Sequence, residues 1–383
     1  DRHHVAARFR RFFFNDSETF GIFPTFFFET GFGANAGLRL VARDIFGRGE
    51  RLMLRAGFGG LERQVYEVSL ATGDRLSPFS VGMDGGYSAS NRNRFYTVGN
   101  RSEVDVDDVD VEGLLDARES DIAVRTRYLE RTLHAAIRAN IRVSPHLGIS
   151  LGERVRRRSF GVGDSRNERF PWLTDVYLEP TVTGFVDQTD SYTDVHASYR
   201  NTRSDRPLIT EALPTRGVRI DAWAGIQEGI GNPYDFGRVG FDIHGWIPLF
   251  GGDRVLRLRL RTAAVIGADD NIPLLDLPTL GGALLLRGYA RDRFRDRIAT
   301  VSTFEYQFPV LYRTGAYVFV DAGRVYHDLP DFRHGPLRLG YGGGLVAFKQ
   351  SNFLFGFQVA SSLDRGVYLH LNLTTTDAIG ERE

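Results

Sequence analysis

Leu286-Arg287-Gly288-Tyr289 is a loop peptide, and five consecutive segments of alternating apolar and polar residues follow it. Two of those segments carry lone acids, Glu305 and Asp321. An arginine on a loop gains nothing from these acids unless the loop folds back among the strands. A closed, water-filled β-barrel with an inward-folded loop gives it a place to go. The stretch therefore turns a generic all-β reading into a specific one, an outer-membrane barrel with an internal ion-pair latch.

The alternation extends both ways from that loop. In Arg254-Val255-Leu256-Arg257-Leu258-Arg259-Leu260-Arg261 the leucines share one face and Arg257, Arg259 and Arg261 the other. A soluble sandwich would bury the leucines, whereas a membrane barrel would turn them to lipid, and this segment fits both. The same pattern recurs in 133–143, 218–227, 238–247 and 352–361. About sixteen segments read this way between 20 and 375, each near or above the ~9–11 residues a tilted strand needs to cross a bilayer. Even strand numbers are usual for single-chain outer-membrane barrels.

The connections decide between sandwich and barrel. Short gaps (45–49, 73–78, 144–146, 249–253, 311–314, 350–351) all fall after even-numbered strands, with one longer case near 203–215. The longest gaps, 91–124, 159–189 and 268–298, all follow odd-numbered strands. Short turns thus lie on one rim and long loops on the other, as in barrels with periplasmic turns and external loops. The expected fold is all-β, a sixteen-stranded antiparallel transmembrane barrel with loop six folded into its lumen. The expected division is a periplasmic lead-in at 1–19, the barrel at 20–375 and a tail at 376–383.

Bulk properties allow this. Mean hydropathy is −0.24, and no run of about 18 apolar residues provides a transmembrane helix. Barrel strands escape such a test, because lipid-facing and lumen-facing residues alternate. A net charge of +0 argues against a nucleic-acid binder, and the absence of cysteine removes disulfide and thiol chemistry.

Four motifs carry a family resemblance. Leu286-Arg287-Gly288-Tyr289 resembles the (V/I)RG(F/Y) motif of loop six in the Omp85 superfamily, the outer-membrane assembly barrels of the BamA/TamA type. Phe304-Glu305-Tyr306-Gln307-Phe308-Pro309 and Phe319-Val320-Asp321-Ala322-Gly323 resemble the two strands that follow that loop. Pro214-Thr215-Arg216-Gly217 resembles the opening of a mid-barrel strand, and the turn Phe46-Gly47-Arg48-Gly49-Glu50 fits as well. The likeness runs from about Phe20 to Leu373. It implies that loop six enters the lumen and that Arg287 meets Glu305 and Asp321, with Gly288 and Tyr289 completing the latch. Strand parity agrees, because both acids sit on lumen-facing positions, and arginine suits a bidentate contact better than lysine. The latch reads first as a stability device and second as a gating one. The family carries periplasmic POTRA domains, whereas only Asp1–Thr19 precede the first strand here, so the chain reads as a barrel without them.

Other constellations give weaker signals. Nine acids between Asn100 and Asp121 (Glu103, Asp105, Asp107, Asp108, Asp110, Glu112, Asp116, Glu119, Asp121) lack EF-hand spacing and read as a solvated loop. Lumen-facing Arg39, Arg43, Arg55, Arg138, Arg142, Arg219, Arg238, Arg257 and Arg259 could line an anion-selective pore, but pairing with wall acids such as Asp221 and Asp242 is the favoured reading. Scattered histidines, without G-x-S-x-G or H-E-x-x-H, give no catalytic site. No metal or cofactor is expected. His3 and His4 read as part of a flexible end.

Strand one, about Phe20–Glu29 with Pro24, is expected to close the barrel against the last strand, Gly366–Thr374 (Val367, Leu369, Leu371). Pro24 lacks a backbone donor, so this seam should be weak. The resemblance implies an insertase or translocase-type scaffold for outer-membrane protein assembly or export, in the bacterial outer membrane and acting without a reaction. The alternative is a structural platform that anchors a lipoprotein or surface partner. An ion or solute pore is a third possibility. Expected partners are outer-membrane lipid and lipopolysaccharide, and an outer-membrane protein or lipoprotein; nucleic acid is not among them.

Overall fold

The computed structural model describes residues 15, 19–29, 33–60, 62–104, 114–163, 170–204, 214–250, 254–311, 314–333, 335–348, 353–364 and 366–375. Residues 1–14 of the lead-in, with His3 and His4, the tail 376–383, and Asp105, Asp107, Asp108, Asp110 and Glu112 lie outside the described residues.

Among the described residues, sixteen strands form one closed antiparallel sheet, with each strand paired to its neighbours in sequence and the first to the last. They are β1 (Phe20–Glu29), β2 (Gly33–Arg43), β3 (Arg51–Phe58), β4 (Arg63–Ala71), β5 (Phe79–Phe95), β6 (Thr126–Arg142), β7 (Leu147–Gly161) and β8 (Gln188–Arg203). The second half holds β9 (Arg216–Gly229), β10 (Phe236–Leu249), β11 (Arg254–Ile266), β12 (Ile298–Leu311), β13 (Thr314–Tyr326), β14 (Arg338–Phe348), β15 (Phe353–Ser362) and β16 (Val367–Thr375). Period-two alternation assigns each side chain to a face. Leu258 and Leu260 on β11, Phe304 on β12 and Val318 and Val320 on β13 are exposed on the outside, while Glu305 and Asp321 on the same strands are 3% and 0% exposed. An apolar exterior around a charged interior inverts a soluble sandwich and suits a lipid solvent.

Turn chemistry explains the short connections. In the turn from β2 to β3, Gly47 and Gly49 take positive φ values of 79° and 74°. The Glu50 carboxylate accepts hydrogen bonds from the Phe46 and Arg48 N–H groups and pairs with Arg75 of the next turn. Gly217, which opens β9, has φ 114°, and the Asn201 carbonyl fills the space a Cβ would need.

On the opposite rim the long connections pack together. Phe95, Leu173, Tyr177, Val265, Ile272 and Leu274 are buried in one apolar cluster, with Phe95 and Tyr177 edge to face at 5.2 Å. Strand β5 runs on to Phe95, beyond the alternation that ends near Ser90, because a register shift between Ser90 and Asn93 breaks the sequence period.

The closing seam joins the first strand to the last, as expected. Among the described residues, strands β1 and β16 share four residue pairs, Phe26 with Leu373 through Glu29 with His370. Of the expected seam residues, Leu371 pairs across it with Phe28. Val367 and Leu369 pair with β15, and Pro24 pairs with Leu38 of β2. Continued in this register, Pro24 falls opposite Thr375, the last residue of β16, where the pairs have already ended.

Candidate functional site

The connection 267–297, between β11 and β12, holds the site. Residues Thr279–Leu280 pair with Phe294–Arg295, and this short ladder frames the excursion that carries Leu286–Tyr289. Leu280, Leu286, Tyr289 and Phe294 pack with Ala299 and Val301 of β12 and Val325 of β13. Leu286 has φ 53° and Gly288 φ 95°, a left-handed backbone that turns the Arg287 side chain toward the wall.

Two glycines set how closely the loop approaches. The carbonyl of Arg287 occupies the place that a Cβ on Gly340 of β14 would take. The Ser361 carbonyl of β15 does the same at Gly288. Side chains at either position would push the loop off the strands.

Arg287 then engages inward-facing groups of three strands. Nε donates to Asp321 Oδ2 and Nη2 to Asp321 Oδ1, both at 2.8 Å, and Nη1 donates to Glu305 Oε2 at 3.0 Å and to Gln358 Oε1 at 3.4 Å. The guanidinium carbon lies 3.4 Å from the Phe319 ring centroid, adding a cation–π contact. The acids are held in turn: Thr303 donates to Asp321, Gln307 and Arg257 donate to Glu305, and Tyr317 donates to Gln358. Burial alone would lower the Arg287 pKa, but the paired carboxylates of Asp321 and Glu305 raise it, so the cation is fixed. Breaking one side of such a buried pair costs about 3–5 kcal/mol, because a bare charge remains. Tyr289 completes the set, its hydroxyl donating to the Leu339 carbonyl at 3.3 Å.

A second anchor has the opposite polarity. Asp276, in the turn Leu274–Asp276 of the same connection, is 6% exposed. Arg156 of β7 and Arg238 of β10 reach its Oδ1 at 3.1 and 2.7 Å, and Arg158 of β7 pairs with Oδ2. Burial would raise its pKa, but these arginines hold its carboxyl well below the usual range. The connection is thus held on one wall by its own cation and on another by its own anion. Sequence reasoning missed Asp276, since one acid in an apolar turn advertises nothing. The signal was the doubled arginine on a lumen-facing parity, Arg156 and Arg158, with no acid on their own strand face.

The remaining lumen arginines are largely neutralised. Arg55 pairs with Glu67, Arg138 with Asp194, Arg219 with Asp221, Arg257 with Glu305 and Arg259 with Asp242. Glu103 departs from the expectation of a solvated acidic loop: it pairs with Arg125 at 2.8 Å and with Arg293 at 3.2 Å. Asp116 accepts from the Arg118 and Glu119 N–H groups and shapes its own turn. Among the described residues, no group of three or more His, Asp or Glu gathers to hold a metal ion.

Comparison with known proteins identifies the family and the fold. A family model described as the Omp85 superfamily domain matches residues 44–360. Among solved structures, BamA from Haemophilus ducreyi lacking POTRA domains 1-3 superposes with a TM-score of 0.62 at 15% identity, over 93% of this chain and 70% of that one. CdiB from Acinetobacter baumannii gives 0.58 at 12%, over 92% of this chain and 59% of its own. CdiB from Escherichia coli gives 0.56 at 11%, over 92% and 62%. The chain thus spans about three-fifths of the length of the CdiB chains. No curated protein sequence matches it.

Proposed function

This chain belongs to the Omp85 superfamily, and on that premise we propose that it is a scaffold for inserting proteins into the outer membrane or exporting them across it. It is a bacterial outer-membrane protein, of a family whose members are transporters or insertases rather than enzymes in general. In this reading the sixteen strands span the bilayer, both barrel ends of the chain face the periplasm, and the connection 267–297 is a plug inside the lumen. The barrel works without a chemical reaction, by parting at its seam and presenting strand edges to a client.

The observation that carries the reading is the length of the closing seam. Among the described residues, four pairs join β1 to β16, whereas ten join β1 to β2. Each backbone pair withheld lowers the cost of separation, and an open edge in lipid needs a partner strand to satisfy its N–H and C=O groups. Phe28 and Leu371, which face each other across the seam, provide the test in a chain that has no native cysteine. A disulfide between F28C and L371C should abolish client insertion into liposomes, and reduction should restore it. Undiminished insertion by the oxidised variant would remove the gating idea.

The packed external loops favour a second reading, a platform that holds a lipoprotein or surface partner by its outer face. Stoichiometric co-purification of a partner from native membrane, with no insertion activity in liposomes, would select it.

A further inference from the structure

We infer that the outer wall of β6 and β7 carries a binding site for the phosphorylated headgroup of an outer-leaflet glycolipid, built by Arg131 and Arg157. The inference rests on the proposed membrane embedding and its orientation, and goes beyond the seam and the plug.

The outward face of β7 reads Ile149, Leu151, Glu153, Val155, Arg157, Ser159 from the short-turn rim toward the long-loop rim. On β6 the outward residues reach Arg131 by way of Ile137, Ala135 and Leu133. Leu133, Ile137, Leu151 and Val155 are exposed apolar residues of the lipid-facing belt. Arg131 and Arg157 are exposed just beyond that belt, on the side of the long loops. Barrel register sets Arg157 opposite Leu133 and Arg131 opposite Ser159, so the two arginines are diagonal neighbours on adjacent strands. Diagonal neighbours lie roughly 7–8 Å apart, a separation from which two long side chains converge on one tetrahedral anion.

Neither guanidinium has an acidic partner among the described residues. Glu153, the outward acid on the same strand, is already occupied: Ser191 donates to its Oε1 at 2.6 Å and Thr193 also donates to it. Two unneutralised cations side by side repel each other, and the cost grows near a low-dielectric belt. A phosphate group reverses that sign, and arginine suits phosphate through paired N–H donors. Ser159 and Thr189, which the register places opposite Arg131 and Arg157 respectively, add hydroxyls on the same face. At that height in the membrane, the anion matching two cations is the phosphate of a lipid headgroup.

The test uses the whole chain in phosphatidylcholine nanodiscs doped with bisphosphorylated lipid A, with the apparent Kd for that lipid read by native mass spectrometry. Each basic residue near a membrane surface contributes about fivefold in affinity. Arg131→Gln and Arg157→Gln should each weaken binding about fivefold and the pair about twentyfold. R131K/R157K should fall between the wild type and the double glutamine variant. Arg254→Gln, on the opposite rim, should leave the Kd unchanged. Lipid A stripped of phosphate should bind the wild type as weakly as lipid A binds the double variant. Equal affinity of wild type and double variant, or an equal effect of R254Q, would overturn the inference. Complete displacement by inorganic phosphate would assign the site to a free anion and overturn the lipid assignment. A barrel that inserts into the nanodisc without discriminating between the lipids sinks this inference alone, whereas failure to insert sinks the membrane reading beneath it.

Discussion

Asp321 takes three hydrogen bonds from Arg287, each at 2.8 Å: from its backbone N–H, from Nε and from Nη2. One strand acid therefore fixes both the path of the loop and the head of its side chain. A primary ammonium in place of the fork could meet only part of this set.

Arg287→Ala should cost about 3–5 kcal/mol, since it leaves Asp321 buried without its cation and Glu305 with Arg257 alone. Arg287→Lys keeps the charge, loses the bidentate contact and should cost less. Urea unfolding in lipid vesicles, followed by tryptophan fluorescence, measures both. A lysine variant as stable as the wild type would contradict the bidentate role.

Gly340→Val places a branched side chain where the Arg287 carbonyl now lies. The loop must shift or the strand must bend, at about 1–3 kcal/mol for overpacking. The check is limited proteolysis: cleavage within 281–293 should speed up, while Gly356→Val, where a Cβ meets open space, should leave it unchanged.

Asp276→Asn leaves Arg156, Arg158 and Arg238 without their shared anion. The plug should come free on that wall while Arg287 still holds the other. Planar bilayer recordings should show bursts of conductance for the variant over a silent wild type. A silent variant would mean that the second anchor is dispensable.

Acid should loosen the plug late. The folded-state pKa of Asp276 lies below its ordinary value of 3.8, because Arg158, Arg156 and Arg238 outweigh the opposing effect of burial. A depressed carboxyl contributes stability that is present above its unfolded pKa and lost as pH falls through its folded one. Proteolysis of 267–297 should thus be unchanged from about pH 8 to about pH 5 and should rise only below about pH 4. Loosening near pH 6 would implicate a histidine instead.

Legibility in the sequence followed physical range. The strands were readable because period two is local: Leu256, Leu258 and Leu260 declare a face with no knowledge of any neighbour. Arg287, Glu305 and Asp321 were readable from motif and parity together. Asp276 was not, since its partners lie on two strands over a hundred and about forty positions earlier in the chain, and no local period links them. The seam was only half readable. Alternation gives β1 and β16 their faces, but the length of their overlap depends on register around the whole closed sheet.

The most direct measurement is a double-mutant cycle between Arg287→Ala and Asp321→Asn, with unfolding free energies read in lipid vesicles. A guanidinium buried on that carboxylate should give a coupling energy of about 1–3 kcal/mol, so that the double variant loses clearly less than the sum of the singles. Additive losses within about 0.5 kcal/mol would mean that the loop arginine and the strand acid do not touch in the membrane, and the latch at the centre of this account would be gone.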